Sequence, residues 1–448
     1  QGFLARYRSS YINIRTGEYQ QLASNDDPLE PIAGWITDHD GKLRIAIKVI
    51  GGVNHQLLYR DSEEEDFRPV ITTDFRETLS PLFFEFDNGH VVYVASNLER
   101  DKSAIVRFDM HRGRELDEPV FSHSEVDVSS LIYSRKRQVI TAAVFTTWKR
   151  QMAFFDERRE TIQRDLEAAL PGYEVVLTSS DKAEVKYLVR TYSDRSLGSY
   201  YLYDVEDKQL EKITDVSPWL NEDDMAEMRP VRYQSRDGLT IHGYLTLPRD
   251  VEPRRLPMVI NPHGGPWARD SWGYNPEVQL LASRGFGVLQ MNFRGSTGYG
   301  RAFWEHSFKE WGAAMQDDIT DGVEWLVAEG IADPNRIALY GGSYGGYATL
   351  ARSLRLRHRL RRCLQPFYLH DHYPALLEAL PGDALQNGGP SRRRQGDDDR
   401  PVARLPHRPH QNAPLCRPGR QRPTCQHRRV GPDRPLPTRP RYRSALHG

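Results

Sequence analysis

Through the first half of the chain apolar and polar residues alternate in short runs, and the runs recur. Four segments share one layout: "LRIAIKVIGGVNHQLLYRD", "HVVYVASNLERDKSAIVRFD", "VITAAVFTTWKRQMAFFD" and "VKYLVRTYSDRSLGSYYLYD". Each is an alternating strand, a polar turn and a second strand that closes on an aromatic residue and an aspartate. Period-2 alternation between turn signals predicts β-strands. The closing residues Asp61, Asp109, Asp156 and Asp204 stand 48, 47 and 48 positions apart. One more step back from Asp61 reaches Asn13 in "SSYINIRTGEYQQL", which is similar to "YYLYDVEDKQLEKI" around Asp204. A repeat of about 40–50 residues holding several strands is the mark of propeller blades. Evenly spaced hairpins of an ordinary β-sandwich are the plainer alternative, and five registers with so little drift disfavour it. So few blades cannot close a ring. Residues 1–225 are therefore expected to be a partial, N-terminally truncated β-propeller.

The period changes after the acidic connector "LNEDDMAEM". "RDGLTIHGYLTLP" reads as a hairpin that opens a second domain, residues 226–351. From residue 256 strands and helices alternate, which predicts a parallel sheet wrapped by helices. "LPMVINPHGGP" is a strand entering a glycine-rich loop, and "GFGVLQMNFRG" is a second buried strand. "MQDDITDGVEWLVAEG" places Ile319, Val323, Leu326 and Val327 on one helical face. Asp317, Asp318 and Asp321 are expected on the exposed face near the helix N-terminus, where carboxylates suit the dipole. His242 and His306 are read as structural or surface residues.

Charge divides the chain again. Its 61 basic and 61 acidic residues balance, but residues 352–448 hold 21 Arg, no Lys and 7 acids, a formal +14. The preceding 351 residues carry a formal −14 and no cysteine, since Cys363, Cys416 and Cys425 all lie in the last stretch. A cysteine-free body excludes a disulfide framework and fits a reducing, cytoplasmic setting. No apolar run approaches the roughly 18–20 residues of a membrane span. Gln1 opens into strand-like sequence with neither initiator Met nor signal peptide, so a fragment is expected.

"DPNRIALYGGSYGGYATL" reads as strand, tight turn, helix, and Gly341-Gly342-Ser343-Tyr344-Gly345 fits G-x-S-x-G. A serine nucleophile on such a turn needs Gly341 and Gly345, because side chains there would collide with neighbouring backbone. The Tyr344 N–H would then face the developing oxyanion, and Gly265 in "HGGP" is the candidate second donor. A chance glycine turn is the bland alternative for the motif alone. A phosphate cradle is disfavoured, because neither G-x-G-x-x-G nor G-K-[ST] is present. No metal or organic cofactor is implied, for H-E-x-x-H is absent and the late Cys and His residues lack zinc-ligand spacing.

"NPHGGPW", "NFRGSTGYGRAFWE", "QDDITDGVEWLV" and "GGSYGGYATL" together resemble the prolyl oligopeptidase family of serine peptidases, in its acylaminoacyl-peptidase and dipeptidyl-peptidase-like branch. The resemblance covers roughly residues 225–351. It implies an α/β-hydrolase domain after a β-propeller, short peptides as substrates, and acyl transfer to Ser343. For this fold the triad runs Ser, Asp, His, so both partners belong after Ser343.

Neither the family's "NDPRV"-like acid segment nor its "GHG"-like histidine loop occurs in residues 352–448. His370, Asp371 and His372 in "LHDHYP" are coincidental partners at best, so the hydrolase sheet is expected to be incomplete, poorly stable and without an identifiable triad Asp or His. Arginine- and proline-rich composition reads as a disordered tail that attracts polyanions without sequence specificity. One other reading accounts for it. Taking the second and third bases of each codon with the first of the next, "QRPTCQHRRVGPDR" permits "NDPRVNIAESDQIV". This places the missing acid across the codons of Arg422 and Pro423, and implies a frameshift near residues 351–352. Oligomeric state leaves no trace in the sequence. The function expected is a serine peptidase; the alternatives are a non-catalytic propeller–hydrolase scaffold and a polyanion-binding tail.

Overall fold

The computed structural model describes residues 7–12, 15–25 and 29–356. Asn13, the three cysteines, His370–His372 and Arg422–Pro423 lie outside the described residues. Strands β1 (Tyr7–Ile12) and β2 (Tyr19–Asn25) pair as an antiparallel hairpin. Next come β3 (Ile32–Thr37), β4 (Leu43–Ile50), β5 (Asn54–Tyr59) and β6 (Arg68–Thr73), an antiparallel sheet paired in chain order. A second sheet repeats the pattern with β7 (Leu79–Phe84), β8 (Val91–Ser96), β9 (Ala104–Asp109) and β10 (Arg114–Phe121). The third has three strands, β11 (Val128–Ser134), β12 (Val139–Thr146) and β13 (Arg150–Phe154), followed by helix α1 (Glu157–Ala169). The fourth returns to four, with β14 (Glu174–Ser180), β15 (Lys186–Tyr192), β16 (Ser199–Asp204) and β17 (Gln209–Asp215).

The repeated segments are the second and third strands of each sheet, which is why their apolar pattern is the strongest. Strand β8 is buried along its whole length, whereas β17 is almost wholly exposed. The repeated aspartate holds the turn after the third strand. Asp109 Oδ1 accepts the N–H groups of His111 and Arg112 at 2.8 and 3.1 Å. Asp204 does the same for Glu206 and Asp207 at 3.0 and 3.3 Å. Asp156 instead caps α1, accepting the Arg159 N–H at 2.8 Å. Asp61 takes side-chain donors, Tyr59 at 2.8 Å and Arg68 at 2.9 Å.

The catalytic-looking half contains β18 (Met228–Gln234), β19 (Thr240–Thr246), β20 (Leu256–Ile260), α2 (Pro276–Ser283), β21 (Gly287–Asn292), α3 (Arg301–Glu305), α4 (Ala314–Ala328), β22 (Ala332–Leu339) and α5 (Tyr344–Leu356). Its sheet runs β18-β19-β21-β20-β22. The strands β21, β20 and β22 are parallel, but the predicted hairpin β18–β19 joins antiparallel at β21, so the sheet is mixed. Buried Phe83, Tyr93 and Phe145 belong to the same apolar cluster as Ile260, Phe293 and Ala348, so the core continues between the two sheet systems. Polar contacts reinforce the seam. Asp127 accepts the Gly300 N–H at 3.1 Å, Asp101 accepts the Ala302 N–H at 2.7 Å, and Lys102 donates to the Tyr299 carbonyl at 2.5 Å.

Two of the helix acids overturn the sequence expectation. Asp318 and Asp321 are buried, their side chains 0% and 7% exposed, and only Asp317 is partly open. The Arg294 N–H and Nε both donate to Asp318 Oδ2 at 2.9 Å, and Arg294 Nη2 donates to Oδ1 at 2.7 Å. Arg236 makes a forked contact with Asp321. Counter-charges brought by the β18–β19 turn and by the loop after β21 replace the water these carboxylates give up. Sequence periodicity counted the acids as polar and could not see their partners. His242 and His306 are exposed, as expected. Asp318→Ala leaves Arg294 buried without its main partner, so it is expected to cost about 3–5 kcal/mol in chemical denaturation. Asp317→Ala should cost less than about 1 kcal/mol.

Candidate active site

The site begins where a parallel strand ends. Asn261 Nδ2 donates to the Tyr340 carbonyl at 2.7 Å, and the Tyr340 N–H reaches the Ile260 carbonyl at 2.9 Å. These bonds hold the exit of β22 beside the exit of β20. Helix α5 starts at Tyr344, so the chain must reverse within a few residues. Ser343 takes up the reversal at φ +56°, a left-handed conformation that costs a non-glycine residue on the order of 1 kcal/mol or more.

The glycines flanking it are required by contact. A Cβ on Gly345 would collide with the Pro262 carbonyl oxygen, and one on Gly341 would stand 2.7 Å from the same atom. Gly342 meets nothing within 4 Å, so its lack of a side chain is not demanded by packing. The HGGP loop passes across the serine: the Cβ position of Gly264 lies 3.4 Å from Ser343 Cβ and 3.9 Å from Oγ. Gly265 comes next at φ +125°, where a Cβ would meet the Trp267 nitrogen at 2.7 Å.

Ser343 is exposed and Tyr344 is buried. The Tyr344 ring is wedged against Phe293 and Trp311, with centroids 5.3 and 5.0 Å away. Burial drives its phenol far above the usual range, so it stays neutral and serves packing. Among the described residues, the backbone bond at Ser343 is from the Tyr347 N–H to its carbonyl at 3.1 Å, and no imidazole or carboxylate bonds its hydroxyl.

His263 is the polar group that sets the loop. Its Nδ1 lies 2.7 Å from the Gly264 carbonyl and its Nε2 lies 2.9 Å from Ser296 Oγ. Burial lowers its pKa to about 4, so the ring is neutral at pH 7. A neutral ring has one N–H, which the carbonyl contact requires at Nδ1, so Nε2 and the Phe293 carbonyl, 2.7 Å from Ser296 Oγ, share the single Ser296 hydroxyl proton. The ring stacks on Phe293 at 4.3 Å. His263 is thus a positioning residue that holds Gly264 in place. Nearby Asp270 is pushed up to about 7 by burial, although Gln290 donates to it at 3.1 Å. Neither role was visible in sequence, because each depends on burial created by distant segments.

The described residues bring one group of possible metal ligands together, His90, Asp109 and His111. The two rings stack 4.2 Å apart at 3°. Imidazole lone pairs lie in the ring plane, and one ion cannot sit in two parallel planes. Asp109 and His111 are also engaged, the first by turn N–H groups and the second by Asp61 at 2.7 Å.

The elbow geometry predicts that Gly345→Ala disrupts folding or collapses the turn, while Gly342→Ala leaves the circular dichroism spectrum and thermal midpoint close to wild type. The pH dependence has two opposing parts. His263 titrates near 4 when folded against 6.5 ordinarily, so its contribution is present above about pH 6.5 and is lost as pH falls toward about 4. Asp270 titrates near 7 against 3.8, so the folded state gains stability from it as pH falls through about 7. Asp270→Asn should therefore steepen the fall in thermal midpoint between about pH 6.5 and 4, and His263→Phe should flatten or reverse it.

Comparison with known proteins agrees with this arrangement. The model of the prolyl oligopeptidase family matches residues 272–360. Dipeptidyl aminopeptidase BIII of Pseudoxanthomonas mexicana is 31% identical over 353 residues, which cover 76% of this chain and 49% of that protein. Dipeptidyl peptidase family member 6 of Caenorhabditis elegans is 26% identical, with the same coverage of both chains. The chain thus spans about half the length of these relatives. In fold it is similar to a puromycin-hydrolyzing peptidase of Mycobacterium tuberculosis, with a TM-score of 0.62 at 20% identity, over 83% of this chain and 57% of that one. The matched segment contains β21, β22, the elbow and Ser343, and on this ground the chain belongs to the prolyl oligopeptidase family of serine peptidases.

Proposed function

We propose that this protein is a serine peptidase acting on short peptides through an acyl-enzyme on Ser343. The observation that carries the reading is the strained Ser343 at φ +56° between a parallel strand and a helix, with glycines that the Pro262 carbonyl makes obligatory. Such a turn projects the hydroxyl off the sheet edge while directing the following N–H groups toward the same space. Ser343 Oγ attacks the scissile carbonyl, and the Tyr344 and Gly265 N–H groups receive the charge that develops on its oxygen. Each such donor contributes on the order of 3–4 kcal/mol to transition-state stabilisation in a dry site.

The consecutive antiparallel sheets of residues 32–215 are read as blades of a partial β-propeller, and the mixed sheet as the first part of an α/β-hydrolase domain, with the boundary near residue 225. The seam between them is apolar and hydrogen-bonded, so the blades can stand over the serine and limit access to short peptides. Similarity to a dipeptidyl aminopeptidase supports release of dipeptides, and the motif resemblance supports acylaminoacyl substrates equally.

A second reading concerns the triad. The Asp and His that should come after Ser343 are not recognisable in residues 352–448, and a one-base shift restores an acid-bearing segment. On this reading the 448-residue polypeptide is a propeller–hydrolase scaffold and the frame-restored protein is the enzyme. An active-site-directed phosphonate separates the two. Labelling of the 448-residue chain, abolished by Ser343→Ala, is expected if the chain is itself active. Labelling of the frame-restored protein alone assigns the activity to that form. Labelling of neither, or labelling that persists in Ser343→Ala, overturns the assignment of the nucleophile.

A further inference from the structure

The third antiparallel sheet lacks the fourth strand that its neighbours have, and α1 packs between β13 and β14 instead. A cavity of about 150 Å³ remains between β11, α1 and β14. Its size is ample for several waters and admits a tetrahedral oxyanion. Four guanidinium groups line it, from Arg137, Arg150, Arg158 and Arg159, and the wall adds the hydroxyls of Ser134 and Thr178.

Three of these arginines have no carboxylate in contact among the described residues. Arg137 is forked onto Asp156 at 2.5 and 2.8 Å, yet its Nε is buried without a hydrogen bond. Glu184 accepts from the Ser134 hydroxyl at 2.5 Å and the Lys136 N–H at 3.2 Å, and stands 3.9 Å from Arg137. Among the described residues Arg158 hydrogen-bonds the Glu184 carbonyl alone, at 2.9 Å. Arg159 is 7% exposed, and its guanidinium meets a neutral amide, Gln163 Oε1, at 3.1 Å from both terminal nitrogens. Arg150 forms no ion pair within 4 Å among the described residues. Burial, together with the neighbouring Arg150 charge, lowers Arg159 to about 10. Asp156 and Glu184 both bear on Arg137, while Glu167 and Glu174 act on Arg159 and Arg150 only from beyond contact distance, so three arginines stand around a half-open space with no carboxylate in contact among the described residues. Burying a charge without a carboxylate partner is costly, and Arg159 is held by Gln163 and by the Phe154 ring, 5.8 Å from its guanidinium carbon.

We propose that this cavity is a binding site for a phosphate dianion, free or carried as the phosphoryl group of a small phosphate monoester. Guanidinium groups suit phosphate oxygens as paired donors, and neither Arg150 nor Arg158 has a carboxylate within 4 Å among the described residues to occupy them. Every lining residue falls between 132 and 187, so the site is separate from the Ser343 elbow. A bound dianion would tie β13, α1 and β14 together, replacing by charge the strand pairing that the third sheet lacks.

Calorimetric titration of the full chain with inorganic phosphate tests this, with glycerol phosphate as the monoester arm and acetate at equal ionic strength as the control. Phosphate is expected to bind at millimolar concentration or better and acetate not to. Binding of both phosphate compounds assigns the site to the phosphoryl group, and binding of inorganic phosphate alone assigns it to the free ion. Arg150→Gln and Arg158→Gln should each weaken binding about tenfold or more, while Arg164→Gln, on the exposed face of α1 beside Glu160, should not. In phosphate-free buffer Arg150→Gln should raise the thermal midpoint, because it removes the repulsion on Arg159; a merely structural Arg150 would lower it. No phosphate binding, unchanged binding in both cavity variants, or a lower midpoint for Arg150→Gln in phosphate-free buffer overturns the proposal.

Discussion

The buried pair of Arg294 and Asp318 anchors most of the catalytic-looking half. Three hydrogen bonds join the two residues, their side chains are 5% and 0% exposed, and both reach the β18–β19 hairpin. Arg294 also grips Asp237 in the β18–β19 turn at 2.7 Å, while Ser235 and the Tyr233 hydroxyl bond Asp318 and its carbonyl at 2.8 Å. The hairpin, the loop after β21 and helix α4 are thereby fastened at one point. Ser296 sits two residues beyond Arg294, and through His263 it orients Gly264 against Ser343. Buried charges need compensation from every side, so one ion pair constrains the position of a serine that it never touches.

The same loop also serves the other half of the molecule. Between Gly298 and Ala302 its backbone is bonded to Asp127, just before β11, and to Asp101, in the turn between β8 and β9. The stretch "NFRGSTGYGRAFWE" therefore carries two duties in fourteen residues: the Arg294 end ties to α4, and the Gly300 end ties to the neighbouring sheets. Such a doubly committed segment explains why its glycines and charged residues form a recognisable motif. At Gly300 (φ +93°) a side chain would also strike Lys102 and Asp101.

The antiparallel sheets show how a repeat can be regular in sequence and uneven in structure. Asp109 and Asp204 hold the same turn, yet Asp156 at the equivalent position caps a helix. The aspartate suits either outcome, because in each it accepts backbone N–H groups left free at the end of a strand. The next residues along the chain decide between them: "ERRETIQRDLEAA" has helix-forming residues and no strand alternation. Replacing a strand by a helix opens the space that four arginines line.

Much of the architecture was legible in the chain. The strand pairs around Asp61, Asp109, Asp156 and Asp204 arise from period-2 burial of central strands, and the β18–β19 hairpin, the β20 and β21 strands and the Ser343 elbow arise from local pattern. Gly341 and Gly345 were predicted as necessary from the motif, and the Pro262 carbonyl supplies the reason. Direction within the mixed sheet was not legible, because alternation of strand and helix does not say which way an edge hairpin joins. Nor were the burial of Asp318 and Asp321, the neutral His263 or the raised Asp270. Local sequence determines which residues are apolar, which turns need glycine and where a helix can start. Whether a charge is solvated or buried depends on residues 24 to 86 positions away being folded against it, and that only the tertiary structure decides.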